Sequence, residues 1–315
     1  MNARPLLSLN IHAKGSYITM DIRGFFYVLT AAFMWGVIGI FAKEVLAEGI
    51  TALEIAFWRA SLAWVMFLVH ATVKKQVKVH RTDLPFLFGF GFICVTLFYG
   101  SYQLAIRDVG MAMSAVLLYT APAWVAFMSW TVLKERMTKT KTVCVIMTIL
   151  GVGCISLGPK LMSGGSIDLN MFGLAAGLVA GFTYALYYIF GKKYLYKYAT
   201  PTIFVYALPF GAALLLPFVD FQPKSAYAWT MLISMAAVTS YGAFTAYYAG
   251  LKRLEATRAS VIATFEPMVA AVFAYLLFGE QFSMLGYVGS CLIIAAVFIV
   301  VLSGIKASRA AGKTE

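Results

Sequence analysis

Residues 24–46, GFFYVLTAAFMWGVIGIFAKEVL, lie over residues 173–195, GLAAGLVAGFTYALYYIFGKKYL, without a gap. The overlay pairs Gly24 with Gly173, Leu29 with Leu178, Ala31 with Ala180, Phe33 with Phe182 and Ile40 with Ile189. It continues through Phe41 with Phe190, Lys43 with Lys192 and Leu46 with Leu195. Further along, Val116, Pro122, Ala126 and Glu135 recur as Val261, Pro267, Ala271 and Glu280. Each run is long enough to span a hydrocarbon core of about 30 Å, which needs about 20 apolar residues. An odd number of such spans separates the two copies, so equivalent helices cross in opposite senses. Inverted repeats of this kind build a site at the midplane around which two halves can rock.

Ten apolar stretches follow from the same reading: 24–46, 51–73, 84–106, 109–133, 141–158, 171–191, 201–219, 227–251, 256–278 and 284–305. All are expected to be helices, because lipid offers no partner to an unpaired backbone group. The expected fold is an all-α integral membrane protein with ten transmembrane helices arranged as two inverted five-helix repeats. Residues 1–22 read as a cytoplasmic tail, 23–158 as the first repeat and 159–170 as a linker around Ser163-Gly164-Gly165-Ser166. Residues 171–305 read as the second repeat and 306–315 as a second cytoplasmic tail. Met20-Asp21-Ile22-Arg23 also reads as an alternative start, and the first twenty residues hold no apolar run fit for a signal peptide.

Composition agrees. The chain has 315 residues, 62% of them hydrophobic and only 12% charged, where a water-soluble chain carries about 25% charge. Net charge is +12, but the cations sit in short loops and not on one face, which argues against nucleic acid as a partner. With the N-terminus inside, twenty of the 25 Lys and Arg residues fall in alternate inner segments. Only Lys43, Arg107, Lys160 and Lys224 fall outside, and Arg59 lies within a span. The positive-inside bias therefore places both termini in the cytoplasm, in a plasma (inner) membrane. The four cysteines, Cys94, Cys144, Cys154 and Cys291, show no metal spacing and read as small core residues.

Charge inside hydrocarbon is costly and faces the protein interior or a cavity. Arg59 and Glu266 qualify, about 12 Å and about 18 Å from the outer ends of their helices at about 1.5 Å per residue. Arg59 reads either as an anchor for an anionic group or as a neutralised structural cation. Glu266 reads either as a proton or cation site or as a helix-locking carboxylate. Tyr99 and Tyr102, Tyr184 and Tyr188 (with Tyr187), and Tyr241 and Tyr248 share helical faces in three spans, and Trp35 and Tyr119 join them. Such rings suit amphipathic or cationic solutes through stacking and cation–π contact, or else ordinary packing. Pro122 and Pro267, in equivalent mid-span positions, are expected to kink their helices and act as hinges. Gly89, Gly91, Gly286 and Gly289 read as sites of close helix approach.

Phe57-Trp58-Arg59, the run from Ser114 through Tyr119-Thr120-Ala121-Pro122 to Lys134-Glu135-Arg136, and Ala259-Ser260-Val261 through Glu266-Pro267 to Phe278-Gly279-Glu280-Gln281 resemble the EamA-type repeat of the drug/metabolite transporter superfamily. The resemblance extends from about Arg23 to Ile305 and implies a membrane carrier that does not hydrolyse ATP. One departure stands out. The small multidrug carriers of that superfamily hold a carboxylate in the middle of the first helix, whereas here Phe33-Met34-Trp35-Gly36-Val37 and Phe182-Thr183-Tyr184-Ala185-Leu186 have none.

The expected function is secondary active transport of a small metabolite, an amino acid or an amphipathic cationic compound, by alternating access, with export favoured. Import of a vitamin, cofactor or nucleotide-type metabolite, and a lipid-linked carrier or scaffold role, are the alternatives. No catalytic residues, metal site or cofactor are expected. Ala311-Gly312-Lys313-Thr314 lacks the upstream glycine and the preceding strand of a phosphate-cradling loop. The spans hold no catalytic His, Ser/His/Asp or paired-carboxylate grouping. The partners expected are a small-molecule substrate and membrane lipid, and one chain carrying both repeats suffices as a monomer.

Overall fold

A computed structural model describes residues 21–162, 164, 170–279 and 283–311. The expected N-terminal tail before Asp21, most of the linker loop, Glu280, Gln281 and Lys313 lie outside the described residues. Within them every regular element is helical, as backbone in lipid requires. The α-helices are α1 Ile22–Gly36, α2 Ile38–Ala47, α3 Ala52–Val73, α4 Leu84–Gly91, α5 Phe98–Leu118, α6 Ala121–Thr131 and α7 Lys139–Met162. The second half supplies α8 Met171–Tyr194, α9 Thr200–Leu215, α10 Ala226–Met235, α11 Ala243–Leu251, α12 Ala256–Ala263, α13 Glu266–Phe278 and α14 Met284–Ala311. π-Helical turns at Phe92–Leu97 and Ala236–Gly242 join α4 to α5 and α10 to α11.

Among the described residues, eight stretches are long and apolar enough to cross a membrane. The expected third and fourth spans run together as Arg81–Leu118, divided where Gly110 takes φ 81 and leaves the helix. The expected eighth span is α10, the π turn and α11 in series. Outward faces carry Phe26, Val69, Trp130, Leu276 and Phe298. In water they would form aggregation-prone patches; in lipid they are solvated. Cys94 and Cys144 are buried as expected of core residues, but Cys291 is exposed on α14. A cysteine can face lipid as readily as core, because both are apolar.

The segments between helices sort into two ends. At one end Arg253 pairs with Asp21 at 3.0 Å, Lys197 with Asp83, and Lys141 with Glu255 at 2.9 Å. At the other, Ser225 Oγ donates to Glu48 at 2.6 Å, Tyr227 donates to Glu44 at 3.0 Å, and Lys224 pairs with Glu54. These two groups match the alternate segments expected from the basic residues. The paired runs also oppose one another in direction. Gly24, at the start of α1, packs on Arg253 and Leu254, while Lys192, at the end of α8, donates to the carbonyls of Leu251 and Leu254 at 2.6 and 2.5 Å.

Small residues bring helices close where no hydrophobic driving force separates protein from lipid. A Cβ on Gly151 would sit 2.8 Å from the Gly289 carbonyl oxygen, and Gly289 approaches Gly151 in return. Gly91 lies against the Ala207 backbone, and a Cβ on Gly211 would meet the Gly91 carbonyl at 2.5 Å. Gly286 is buried beside Gly158. Gly89 differs from expectation: a Cβ there would meet nothing within 4 Å.

Candidate functional site

Two spans are interrupted at equivalent places. α5 ends at Leu118 and α6 begins at Ala121; α12 ends at Ala263 and α13 begins at Glu266. Each interruption keeps a carbonyl satisfied locally, through Thr120 Oγ1 to Leu117 at 2.7 Å and Thr264 Oγ1 to Val261 at 2.6 Å. Pro122 and Pro267 follow at the second position of the new helices. The expectation of kinks inside continuous helices is corrected here. At that position a missing N–H costs no helical bond and the fixed φ suits helix initiation, so the proline starts a helix and the preceding pair makes the break.

Glu266 is thereby the first residue of α13, where exposed N–H groups and the helix dipole favour a carboxylate. It remains partly accessible. The hydroxyls of Tyr119 and Tyr184 and the Arg59 cation are the polar groups around it. Arg59 is 9% exposed, donates to Ser240 Oγ at 3.4 Å and lies 6.0 Å from the Tyr99 ring centroid. Tyr188 faces Tyr184 edge-on at 5.6 Å, and the Glu266 charge also reaches Tyr102. Phe98 stacks between Tyr102 at 6.2 Å and Tyr184 at 5.6 Å. Seven of the expected residues thus meet: Arg59, Tyr99, Tyr102, Tyr119, Tyr184, Tyr188 and Glu266.

Three do not join them directly. Trp35 is buried against Phe244 at 5.8 Å and Tyr247 at 5.2 Å, one residue from Gly36, whose missing Cβ makes room for the Glu266 backbone. Tyr241 points away to His70 Nδ1, at 2.9 Å. Tyr248 is fully buried and donates to the Tyr187 carbonyl at 3.1 Å, so its hydroxyl is committed within the bundle.

Sequence reading missed Ser240 and the two π turns. A π turn leaves carbonyls out of register, and such bulges concentrate at functional places. The two lie at equivalent points of the halves. Tyr187 donates to the Cys94 carbonyl within the first, and Thr96 Oγ1 donates to Gly211 at 2.9 Å. In the second, Ser240 accepts from Arg59. Both turns therefore abut the Arg59–Glu266 cluster. The only advance signal was the alignment of Tyr102 with Tyr247, which sets 92–97 over 237–242. Two hollows lie apart from Glu266. One of about 240 Å³ is lined by residues 109–113, Leu157 and Lys160, and a groove of about 530 Å³ on the bundle flank runs along Val65, Val69, His70, Val73 and Tyr241.

At the end bearing Asp21 and Arg253, carboxylates and cations tie the halves. The N–H groups of Ala256 and Thr257 donate to Glu135 at 2.7 and 3.4 Å, with Thr257 Oγ1 at 3.3 Å. Burial pushes the Glu135 carboxyl above its usual range, against the pull of the Ala256 N–H. Burial also raises Glu255, but Lys141 and Arg258 together outweigh it and hold its carboxyl below that range.

Residues 22–157 and 171–302 each match the EamA-like transporter family. The chain belongs to that family. Among relatives of this EamA-like chain, a protein of Archaeoglobus fulgidus named only as an uncharacterized transporter is 30% identical over 86% of this chain and 94% of its own. The uncharacterized inner membrane transporter YicL of Salmonella typhimurium is 23% identical over 92% and 98%. A solved crystal structure shares the fold with a TM-score of 0.78 at 13% identity, covering 90% of this chain and 98% of that one. The molecule is therefore a multi-pass helical membrane protein of a transporter family.

Proposed function

We propose that this EamA-like protein is a secondary active carrier of a small zwitterionic or amphipathic cationic metabolite, with amino acids and aromatic amines as leading substrates. One observation carries the reading. A cation and a carboxylate, Arg59 and Glu266, face one site at the break between α12 and α13, surrounded by phenol rings. Arg59 suits a substrate carboxylate. Glu266 and the tyrosine faces suit an ammonium group and its apolar body through charge and cation–π attraction.

The breaks before α6 and α13 let the outer parts of two equivalent spans move relative to their inner parts around this site. Alternating access follows if the halves rock about it, driven by an ion or solute gradient, in the direction of export. The basic end faces the cytoplasm with both termini, in the plasma (inner) membrane, and a monomer in lipid suffices. Residues 23–158 and 171–305 act as the two halves around the 159–170 linker, with Pro122 and Pro267 beside the flexing breaks. Chemistry at the site is binding, not bond making.

A second reading, a lipid-linked carrier, draws on the flank groove along α3, lined by Val65, Met66, Val69 and Val73 together with His70, Lys74 and Tyr241. Purified protein in liposomes separates the two. Saturable flux of water-soluble amino acids or amines under imposed pH or sodium gradients supports the first reading. Flux confined to lipid-anchored compounds, with no response to soluble solutes, supports the second and overturns the first.

A further inference from the structure

Tyr247 is 1% exposed, yet its hydroxyl has no hydrogen-bond partner among the described residues. A buried hydroxyl left so costs about 1–3 kcal/mol, and native structures keep few such groups without a reason. Its position suggests one. The ring packs 5.1 Å from Tyr188, a member of the central cluster, and 5.2 Å from Trp35. Along α11 it lies one helical turn before Leu251, whose carbonyl accepts from Lys192 at 2.6 Å at the basic end. Tyr247 thus stands between the Glu266 cluster and the basic end of the bundle. It is also the repeat equivalent of Tyr102, which stacks on Phe98 beside Tyr184 in the cluster.

What bars the way beyond Tyr247 is a contact between halves. Glu135 belongs to the segment after α6 in the first half, and it accepts both N–H groups that open α12 in the second half. This caps a helix with a residue from another part of the chain, where an acidic cap meets orphan donors and the positive end of the dipole. Lys141, 2% exposed, pairs with Glu255 one residue before the same helix and donates to the Arg136 carbonyl at 2.7 Å. Lys192 lies within the field of Glu135 and is bonded to the Leu251 and Leu254 carbonyls. Lys141 is thus committed to the opposite half, and Lys192 to the turn before α12.

We infer that Glu135 on the α12 N-terminus is the latch of the basic-end gate, and that the Tyr247 hydroxyl is a solute-binding station directly behind it. When the latch parts, a substrate held by Glu266 and Tyr188 meets Tyr247 next, and its polar group takes the hydrogen bond that the protein leaves unmade. This rests on the carrier reading for the passage of solute, but the latch itself does not depend on flux.

Labelling tests the latch. In a full-length chain with its four cysteines replaced by alanine, Tyr247→Cys is treated with a membrane-impermeant maleimide in vesicles of each orientation. Protection is expected with Glu135 present. Glu135→Ala should raise the labelling rate at least tenfold from the basic-end face only, Glu135→Gln by less because it keeps an acceptor, and Glu135→Asp should restore protection. Equal labelling across the series in correctly folded protein overturns the latch. The station is tested by Tyr247→Phe in otherwise native protein. It should leave thermal stability unchanged or raised, since an unpaired hydroxyl is removed, while solute flux falls at least fivefold. Wild-type flux in Tyr247→Phe overturns the station. Absence of flux in the parent chain, with the labelling series intact, would instead tell against the carrier reading.

Discussion

Removing Lys224 should destabilise the end of the bundle opposite the Glu135 latch more than any surface charge could. Lys224 and Glu54 form an ion pair with side chains 6% and 0% exposed. The ammonium also lies 5.4 Å from the Trp58 ring centroid, 5.7 Å from Phe221 and 5.6 Å from Trp229. Breaking a buried pair by deleting one partner costs about 3–5 kcal/mol, because the other charge is left uncompensated. Glu54 would keep donors from Trp58 Nε1 and the Gln222 N–H, both at 3.2 Å, which places the pair term near about 3 kcal/mol. Loss of the cation from the three rings adds about 1 kcal/mol. Lys224→Ala should therefore cost about 3–4 kcal/mol. Glu54→Gln should cost less, since the ammonium retains the rings and the Gln222 carbonyl at 2.7 Å. The double variant Glu54→Leu, Lys224→Met should return to within about 1 kcal/mol of the parent, as buried pairs replaced by apolar groups commonly do. Reversible unfolding in mixed micelles, read as a double-mutant cycle, gives all three values. A Lys224→Ala protein within about 1 kcal/mol of the parent, or single effects that simply add in the double, would refute the reasoning.

Gly91→Ala should fail to fold or lose more than about 3 kcal/mol, beyond the usual overpacking cost of about 1–3 kcal/mol, because the new Cβ meets backbone that cannot step aside: the Ala207 carbonyl carbon would lie at 2.9 Å; Gly89→Ala, with nothing within 4 Å, should be tolerated, and expression with monodisperse elution compares them. The two carboxylates beside the latch should give opposite pH signatures in thermal unfolding. Glu255, held low chiefly by Lys141 and Arg258 against its burial, contributes stability above the ordinary carboxylate range that is lost as pH falls through its lowered value. Glu135, raised by burial, carries a penalty above its raised value that is relieved on acidification. Glu135→Gln should therefore abolish the second dependence and leave the first.

Much of the architecture was open to reading because lipid imposes two simple rules, apolar length and basic asymmetry. Arg59 and Glu266 stood out for the same reason: charge is rare in such runs. The tyrosines were only half legible. Helical spacing set Tyr241 and Tyr248 on suitable faces, but it could not say that His70 and the Tyr187 carbonyl would claim their hydroxyls. The breaks before Ala121 and Glu266 looked like proline kinks, since a sequence shows the proline but not on which side the chain stops being helical. The π turns left no local trace, because Phe92–Leu97 and Ala236–Gly242 carry ordinary helix residues and their register is set by neighbours such as Tyr187. Lys141 and Lys192 counted as loop cations from their positions, yet both are buried and bound to main-chain carbonyls. Long side chains can turn back into the bundle, and hydropathy does not record which ones do.

The carboxylate at the start of α13 bears the central claim, and Glu266→Gln tests it with the smallest change in shape. In proteoliposomes supplied with an amine or amino acid that the parent chain carries, Glu266→Gln should cut saturable flux at least tenfold while keeping the parent's unfolding temperature within a few degrees. Flux at the parent's rate and saturation in Glu266→Gln would contradict the account.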